Sequence, residues 1–401
     1  MKILIVSSTY EPFLVGGAER VAQTLANSLI REGHRVVVVT TQPRGEACER
    51  VIDTVPVHYL PVRNVYRPFS DYQPTVVAKA LWRMVDSYNF WMLPALRKVI
   101  AHEAPDVINT HNVAGFSVAA WSAADRLNIP IVHTMHDQYL LCHRSTMFRN
   151  GRNCSRQCQS CVVLGLPRKH ASKRVDVAVG VSRFILERHK RLGYFQSAES
   201  MVIYNTGLVD ASQAMRRPRS GEKLRFGFLG QIIPTKGVHA LIDAFLADEL
   251  QDAELWIAGR GEGGDYENDL RRRTQAAPNI RWLGYVKPAE LFENIDVLVV
   301  PSLWHDTAPL VVLEAASHGV PVLGSDRGGI AELIPPSAGW TFDPGDPAEL
   351  RKALIRCKQT AAQLPQMSQA CMNYARQFNS SDWCGQYLSA FELAIERRGA
   401  S

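Results

Sequence analysis

The chain of 401 residues is longer than one ordinary hydrophobic core, which predicts two domains, and its 46% hydrophobic residues exclude a disordered or fibrous protein. No apolar run is long enough to cross a membrane, and eight cysteines without a secretory signal predict a reducing, cytoplasmic setting without disulfides. The net charge of +6 divides unevenly. Residues 1–205 hold 25 Lys and Arg against 15 Asp and Glu, a net +10, and the remaining residues hold 20 against 24, a net −4.

The basic first half of the chain is predicted to meet something anionic. A membrane surface, a lipid pyrophosphate and a phosphorylated sugar are all candidates. A basic face that is merely solvated stays open as the plainer interpretation. Nucleic acid is disfavoured, because no recognition motif is interleaved with aromatic residues.

Short β-branched runs alternate with helical stretches through this half. Strands are predicted at residues 2–8, 35–41, 55–61, 105–111, 130–136, 175–182 and 201–205. The first of these runs is interpreted as a strand rather than as a signal peptide. Near-continuous apolar strands of this kind suit a parallel sheet that is covered on both faces.

A glycine pair, Gly16 and Gly17, lies between the first strand and a helix with an apolar face. The amino end of a helix carries about half a positive charge, and its free N–H groups suit an anion. A dinucleotide fingerprint would place G-x-G-x-x-G directly after the strand, where two serines and a threonine stand instead. A nicotinamide-dependent oxidoreductase is therefore disfavoured.

His136 and Asp137 follow the predicted strand 130–136 at its carboxyl end. Ligands of open α/β sheets bind at this edge, so polar side chains there are placed to contact one. His133 and His111 lie close by in the pattern, which weakens the case for any single histidine. A histidine that is satisfied within the structure stays open as the alternative.

Four cysteines, Cys142, Cys154, Cys158 and Cys161, are spaced C-x11-C-x3-C-x2-C in a loop rich in Arg. Thiolates bind zinc, but this spacing differs from that of common zinc modules. A structural zinc, redox-active cysteines and an uncoordinated loop all stay open. No activating arrangement in the sequence points to catalysis by a thiol.

The polar, basic residues 206–222 predict a linker, after which the alternation restarts. Strands are predicted at 224–230, 254–259, 279–285, 296–302, 320–325 and 339–343, and helices at 238–250 and 347–359. Aromatic residues at four-residue spacing predict a final amphipathic helix from about Asp382. Two αβα domains facing across a cleft are the architecture that this layout favours.

The most informative stretch of the second half is residues 301–332. Asp306 follows an apolar strand, and a helix is predicted next, with Pro309 in its first turn and Glu314 inside it. Another strand then meets the pair Gly328 and Gly329, where backbone N–H groups can approach a ligand that a Cβ would exclude. Carboxylates accept hydrogen bonds from hydroxyls and amides suit phosphate oxygens, so the ligand expected here is a sugar nucleotide.

These residues resemble the donor-binding segment of the family 4 retaining glycosyltransferases, in which two glutamates eight residues apart precede a G-x-P-V strand and a G-G-x-x-E turn. One residue departs from the pattern, because Asp306 stands where the family usually has Glu. The resemblance implies the GT-B fold. It divides the chain into an acceptor-binding Rossmann-like domain (1–205), a linker (206–222), a donor-binding Rossmann-like domain (223–380) and a C-terminal helix (381–401) that returns to the first domain.

The resemblance also implies roles for individual residues. Asp306, Lys236 and His136 are the predicted catalytic residues, and His136 and Asp137 lie on the acceptor side. Lys236 would neutralise the donor diphosphate, Glu314 would bind the ribose, and Asp306 would bind the transferred sugar. The remaining donor-binding residues are Gly16, Gly17, Gln231 (in the place of the usual Arg), Gly259, Gly261, Gly328 and Gly329.

The predicted function is retaining transfer of a sugar from a UDP-, GDP- or ADP-linked donor to a hydroxyl acceptor, in surface polysaccharide or glycolipid assembly. No cofactor is expected for catalysis, and an anionic or lipid-linked acceptor and contact with the inner membrane surface would suit the basic first half. A nucleotide-sugar epimerase or hydrolase on the same fold stays open, as does a sugar-nucleotide-binding protein without turnover.

Overall fold

The computed structural model describes residues 1–13, 16–42, 45–66, 74–205, 223–261, 264–377 and 380–400. Within these ranges the chain forms two compact units. The first takes in residues 1–147, 154–205 and 380–400, and the second takes in 148–153 and 223–377. The predicted linker, 206–222, lies outside the described residues.

Strands and helices alternate along most of the described chain. The strands are β1 (Lys2–Val6), β2 (Arg35–Gln42), β3 (Cys48–Ile52), β4 (Val55–Pro61), β5 (Val107–Thr110), β6 (Ile131–Met135), β7 (Phe148–Arg149), β8 (Arg152–Asn153), β9 (Val177–Gly180), β10 (Glu199–Val202), β11 (Arg225–Leu229), β12 (Glu254–Ala258), β13 (Ile280–Gly284), β14 (Val297–Val300), β15 (Val322–Ser325) and β16 (Gly339–Phe342). The α-helices are α1 (Gly17–Arg31), α2 (Val76–Ser87), α3 (Leu93–Glu103), α4 (Ala119–Asp125), α5 (Gln159–Ala171), α6 (Arg183–Arg191), α7 (Val238–Phe245), α8 (Asp265–Arg273), α9 (Pro288–Phe292), α10 (Leu310–Ser317), α11 (Ile330–Leu333), α12 (Pro347–Gln359), α13 (Leu364–Arg376) and α14 (Ser380–Gly399).

The first unit is built on an eight-stranded sheet in the order β10-β9-β6-β5-β1-β2-β4-β3. Every neighbouring pair is parallel except β3 with β4. The inner strands are buried on both faces, and Ile3, Leu4 and Ile5 of β1 are fully buried. This is the parallel sheet that the apolar runs predict.

The second unit has a six-stranded sheet in the order β13-β12-β11-β14-β15-β16, and all its pairs are parallel. Phe226, Phe245 and Leu255 belong to the hydrophobic core that covers this sheet. The strand order reverses between β11 and β14. In open α/β sheets, ligands bind beyond the carboxyl ends of the two strands at such a reversal.

Helix α14 packs on the first unit, against α1 and strands β5, β6 and β9. Its aromatic side chains Trp383, Tyr387 and Phe391 are buried. The guanidinium of Arg398, near its end, donates to Asp125 at 2.8 Å and to Asp176 at 2.8 Å. The predicted return of the C-terminal helix to the first domain is thus confirmed.

Candidate active site

The predicted site residues of the second unit lie on loops at the carboxyl edge of its sheet. Lys236 ends a short 3-10 turn (Pro234–Lys236) after β11, and Asp306 lies in the loop after β14. Their side chains form an ion pair in which the Lys236 ammonium donates to the Asp306 carboxylate. The Lys236 side chain is 22% exposed and that of Asp306 is 10% exposed, so most of the pair is buried among the loops. A cation and a carboxylate therefore meet where the strand order reverses.

The glycine turn after β15 packs directly on the Asp306 loop. The N–H of Gly329 donates to the Asp306 carbonyl at 2.8 Å. Gly328 has φ +67°, and a Cβ there would come within 2.0 Å of the same carbonyl oxygen. In this structure the Gly329 amide is thus engaged by the Asp306 loop, and its predicted contact with a ligand stays a prediction. The glycine pair fixes the backbone that carries Asp306.

The loops after β11 and β14 are also joined to each other. The N–H of Leu303 donates to the Thr235 carbonyl at 2.9 Å. Gly237 has φ +73°, and a Cβ there would lie 1.9 Å from the Pro301 carbonyl oxygen. This close backbone approach brings Lys236 within reach of Asp306.

A hairpin from another part of the chain supports the same loop. Strands β7 and β8 belong to the second unit, and Asn153 at the end of β8 donates to the Leu303 carbonyl at 2.7 Å. Its side-chain oxygen accepts the N–H of His305 at 2.9 Å. No sequence pattern predicts this contact, because two-residue strands lack a hydrophobic pattern and Asn153 and His305 lie 152 positions apart.

The predicted donor-binding glycines after β12 have two different functions in the loop. Gly259 has φ +137°, and a Cβ there would come within 1.8 Å of the Gly230 carbonyl oxygen. The N–H of Gly261 donates to the Glu267 carboxylate at 2.8 Å, so this amide is already engaged. Close packing, rather than a set of free amides, is what these glycines provide here.

Arg260, which sequence reasoning did not select, lies beside these glycines. Its guanidinium lies 5.5 Å from the ring centroid of Tyr285, which follows β13 and is 70% exposed. An exposed ring with a cation over it can stack a flat aromatic group. Gln231 is exposed. Glu314 is partly buried on α10. Pro309 occupies the N-cap position just before this helix, and not its first turn as predicted.

In the first unit, His136 belongs to a hydrogen-bonded chain at the carboxyl ends of β5 and β6. The Asn109 amide donates to the Thr134 hydroxyl at 3.2 Å, so its oxygen accepts Nε2–H of His111 at 2.6 Å. His111 Nδ1 then accepts Nε2–H of His136 at 2.8 Å. Burial lowers the pKa of His136 to about 3, so this ring is a neutral hydrogen-bonding group at neutral pH rather than a cation.

Asp137, beside His136, has the opposite shift. Burial raises its pKa to about 6, although its carboxylate accepts the N–H of Tyr139 at 2.7 Å, and the nearby Glu19 carboxylate adds to the increase. The buried surroundings destabilise the ionised form of the Asp137 carboxyl relative to its protonated form. A perturbed acid at the edge of a sheet is a candidate functional group.

The Glu19 carboxylate also occupies the amino end of α1. It accepts the N–H of Gly16 at 2.9 Å and the Thr9 hydroxyl at 2.7 Å, and it is 3% exposed. In this structure the Gly16 amide is thus hydrogen-bonded to Glu19, and its predicted contact with an anion stays a prediction. Glu19 was not selected from the sequence, although its place three residues after Gly16 is that of a capping box.

A second buried acid, Asp86, lies beneath the Asp137 loop. It accepts the N–H of Gly115 at 2.7 Å and the hydroxyl of Tyr139, and the Arg168 guanidinium lies 3.7 Å away. Burial raises the pKa of Asp86 to about 7. This network fixes Tyr139 and so supports the backbone next to Asp137.

The cysteine-rich loop is compact around Cys161. Its thiol lies 3.3 Å from Nδ1 of His143. Within the described ranges, no three His, Cys, Asp or Glu side chains are arranged to hold a metal ion. The structure thus gives no ligand geometry for the zinc that the sequence left open.

Two family models match the chain. Glycosyltransferase Family 4 matches residues 15–206, and Glycosyl transferases group 1 matches residues 223–359. An uncharacterized 42.6 kDa protein in the cps region of Klebsiella pneumoniae is 32% identical over 336 residues, 83% of this chain and 87% of that protein. A GDP-mannose-dependent alpha-mannosyltransferase of Mycobacterium tuberculosis is 26% identical over 363 residues, 84% of this chain and 82% of that protein. Anabaena HepE in complex with UDP is similar in structure, with a TM-score of 0.71 at 17% identity, covering 98% of this chain and 100% of that one.

The two parallel Rossmann-like sheets, together with these matches, identify a transferase of the GT-B fold. The chain belongs to the family 4, group 1 glycosyltransferases. The predicted fold and enzyme class, a glycosyltransferase with a nucleotide-sugar donor, are confirmed. The roles of individual site residues stay predictions.

Proposed function

We propose that this enzyme transfers a sugar, with retention of anomeric configuration, from a nucleoside diphosphate sugar to a hydroxyl of an anionic, lipid-linked acceptor in surface polysaccharide assembly. The observation that carries the proposal is the ion pair of Lys236 and Asp306 at the reversal of strand order. The relative from a cps region and the basic first half of the chain support the choice of acceptor.

The second unit provides the donor site in this proposal. Lys236 binds the diphosphate and stabilises the negative charge that grows on it as the glycosidic bond breaks. Glu314 accepts hydrogen bonds from the ribose hydroxyls, and Asp306 accepts them from the transferred sugar. The ring of Tyr285 with Arg260 above it stacks the nucleotide base, whose identity stays open between uridine, guanosine and adenosine.

The acceptor binds on the first unit, near the neutral His136 and the carboxyl of Asp137. Its hydroxyl oxygen forms a bond to the anomeric carbon on the face from which the diphosphate leaves, which retains the configuration. The hydroxyl proton passes to the departing diphosphate oxygen. Fixed charge from Lys236 stabilises this leaving group, so catalysis needs no added metal ion. We place this reaction in the cytoplasm, at the inner face of the membrane.

A thermal-shift panel tests the donor site. UDP-, GDP- and ADP-linked sugars are each added to the wild type and to Glu314→Ala, with Glu290→Ala, an exposed helical glutamate, as the control. A ligand at 100 times its Kd stabilises the folded state by about 2.7 kcal/mol, which a melting curve resolves. One donor should stabilise the wild type and the control clearly and Glu314→Ala little. Equal shifts in all three proteins would remove Glu314 from the site.

A further inference from the structure

The exposed apolar side chains of the first unit are concentrated on two adjacent helices and one turn. Of the thirteen large hydrophobic residues that are exposed among the described residues, nine lie on α2, on the 3-10 turn Phe90–Met92 that follows it, and on α5. They are Val76, Val77, Leu81, Met84, Phe90, Trp91, Val162, Val163 and Leu166. We call this set the apolar face. Monomeric proteins rarely leave such a cluster in water without a function.

The apolar face is a shared outward side of α2 and α5. The two helices pack against each other, and the buried Asp86 of α2 lies 3.7 Å from the buried Arg168 of α5. Leu81 and Met84 are 47% and 60% exposed on the side of α2 opposite its buried Trp82 and Asp86. The exposed residues of α5 likewise lie opposite its buried Cys161 and Arg168. Neither set is needed to cover the core of the unit.

The surroundings of the apolar face are cationic. Residues 138–175 contain eight Lys and Arg and no Asp or Glu. Lys79 on α2 and Lys169 on α5 are exposed beside the apolar residues. The only acid on the described residues of α2, Asp86, is buried. A partner that covers this face therefore has to be apolar and anionic.

The 3-10 turn continues this surface into a groove. Phe90, which is 55% exposed, lines a groove of about 520 Å³ together with Leu93, Arg97, Lys98 and Arg126. The rings of Phe90 and Trp91 lie 4.4 Å apart. Aromatic rings beside cations are typical of segments that lie at a membrane–water interface, where rings reach the acyl chains and cations meet phosphates.

We propose that the apolar face docks this enzyme on the surface of an anionic lipid bilayer, with α2 and α5 lying in the plane of the interface. Among the described residues, no helix combines the length and apolar character needed to cross a membrane. This docking rests on the proposed function, which assigns a lipid-linked acceptor to the enzyme. Docking would bring the acceptor-binding unit to the surface where such an acceptor resides.

Vesicle sedimentation of the full chain tests the proposal. The vesicles are an equal mixture of phosphatidylglycerol and phosphatidylcholine, or phosphatidylcholine alone, without sugar nucleotide. The wild type should bind the anionic vesicles, and more weakly at 500 mM than at 50 mM salt, since salt screens the cations. The double variant Leu81→Ser/Met84→Ser should partition at least about tenfold more weakly, because two exposed apolar side chains are lost. Val51→Ser, which removes a side chain that is 69% exposed on β3, is the matched control and should bind as the wild type does.

A second variant tests the cations. Lys79→Glu/Lys98→Glu should reduce binding to anionic vesicles at least about tenfold while leaving the weak binding to phosphatidylcholine unchanged. Melting curves with and without the donor identified by thermal shift show that each variant folds and binds donor, so a failure of docking is distinguishable from a failure of the donor site. Equal partitioning of wild type and Leu81→Ser/Met84→Ser would overturn the proposal. The proposal would also be overturned if the wild type did not bind anionic vesicles but formed dimers, and if Leu81→Ser/Met84→Ser were monomeric.

Discussion

The Lys236 ammonium is paired with the Asp306 carboxylate, and these two residues follow the two central strands, β11 and β14, of the second-unit sheet. An arriving diphosphate brings further negative charge to a lysine that already has a partner. The carboxylate therefore competes with the diphosphate for Lys236, so its role in the site has to be a different one. Contact with the transferred sugar is the role that the proposed function supplies.

Replacement Asp306→Asn separates these two effects. Removing the competing charge should tighten binding of the nucleoside diphosphate about twofold or more, because Lys236 then faces the phosphates alone. Transfer should nevertheless slow about 100-fold, since the amide loses a strong acceptor for the sugar hydroxyls. Calorimetry gives the affinity, and initial rates of nucleoside diphosphate release give kcat. Asp252→Asn, which breaks the exposed ion pair with Lys358 in the same unit, should change neither quantity. Weaker nucleotide binding by Asp306→Asn would refute the competition.

Two glycines with nearly the same backbone conformation test what fixes the Asp306 loop. Gly328 has φ +67° and Gly284 has φ +69°, but a Cβ meets the Asp306 carbonyl at the first position and nothing within 4 Å at the second. Both alanine variants bear the left-handed strain of about 1–2 kcal/mol. Gly328→Ala should lose further stability and donor binding, because the new methyl displaces Asp306. If both variants lose the same stability and both keep donor binding, the close approach at Gly328 has no such role.

Asp137 provides a pH-dependent prediction. Because burial raises its pKa in the folded state to about 6, above the value of 3.8 for the free side chain, the folded protein binds this proton more tightly than the unfolded chain. Stability from this group therefore increases as pH falls from 6 toward 4, and the ionised carboxylate is destabilising at pH 7.5. Asp137→Asn should raise the free energy of unfolding at pH 7.5 by about 1–3 kcal/mol, and its advantage should shrink below pH 6.

Denaturant melts at the two pH values measure this difference. Asp106→Asn is the control, because the exposed Asp106 also accepts a backbone N–H, that of Lys2 at 2.6 Å. It should show no gain at pH 7.5. Slower transfer by a more stable Asp137→Asn enzyme would indicate that the carboxylate is kept for function. A variant that is less stable than the wild type at pH 7.5 would contradict the effect of burial.

The charge of Lys236 also predicts how the enzyme responds to chelators. If a fixed ammonium stabilises the leaving diphosphate, EDTA should leave the initial rate of transfer unchanged within about 20% once the donor is saturating. The measurement is the rate of nucleoside diphosphate release before and after dialysis against EDTA. A strict requirement for Mg²⁺ or Mn²⁺ would contradict this mechanism.

Predictions from the sequence worked best where apolar periodicity or residue type decides the structure. The parallel strands, helix α12 at residues 347–359 and the aromatic stripe of α14 all follow from side-chain pattern alone. The edge strand β3 was not predicted. Its three middle residues are exposed, so no alternation of apolar and polar residues marks it in the sequence. The helix predicted at 238–250 ends at Phe245, since Ala247 is extended and a separate 3-10 turn follows.

The loops that carry the candidate residues were predictable from the sequence, but the hydrogen bonds of these loops were not. The positions of Lys236 and Asp306 on loops at the carboxyl edge of a parallel sheet follow from the sequence, whereas their ion pair depends on how two distant loops pack together. The glycines indicated that another group lies close to their backbone. Whether that group is a ligand or another loop depends on contacts between distant segments, as at Gly328, where it is the Asp306 loop. The support of the Leu303 carbonyl by Asn153 is of the same kind, and no local pattern marks it.

Calorimetric titration of UDP, GDP and ADP into the wild type and Lys236→Ala tests the central claim most directly. One of the three should bind the wild type, and Lys236→Ala should bind it at least about tenfold more weakly, since a hydrogen bond to a charged group contributes about 1.5–3 kcal/mol. Lys358→Ala, which removes an exposed lysine of the same unit, should match the wild type. If Lys236→Ala binds the nucleotide as tightly as the wild type does, the donor diphosphate does not lie at the carboxyl ends of β11 and β14.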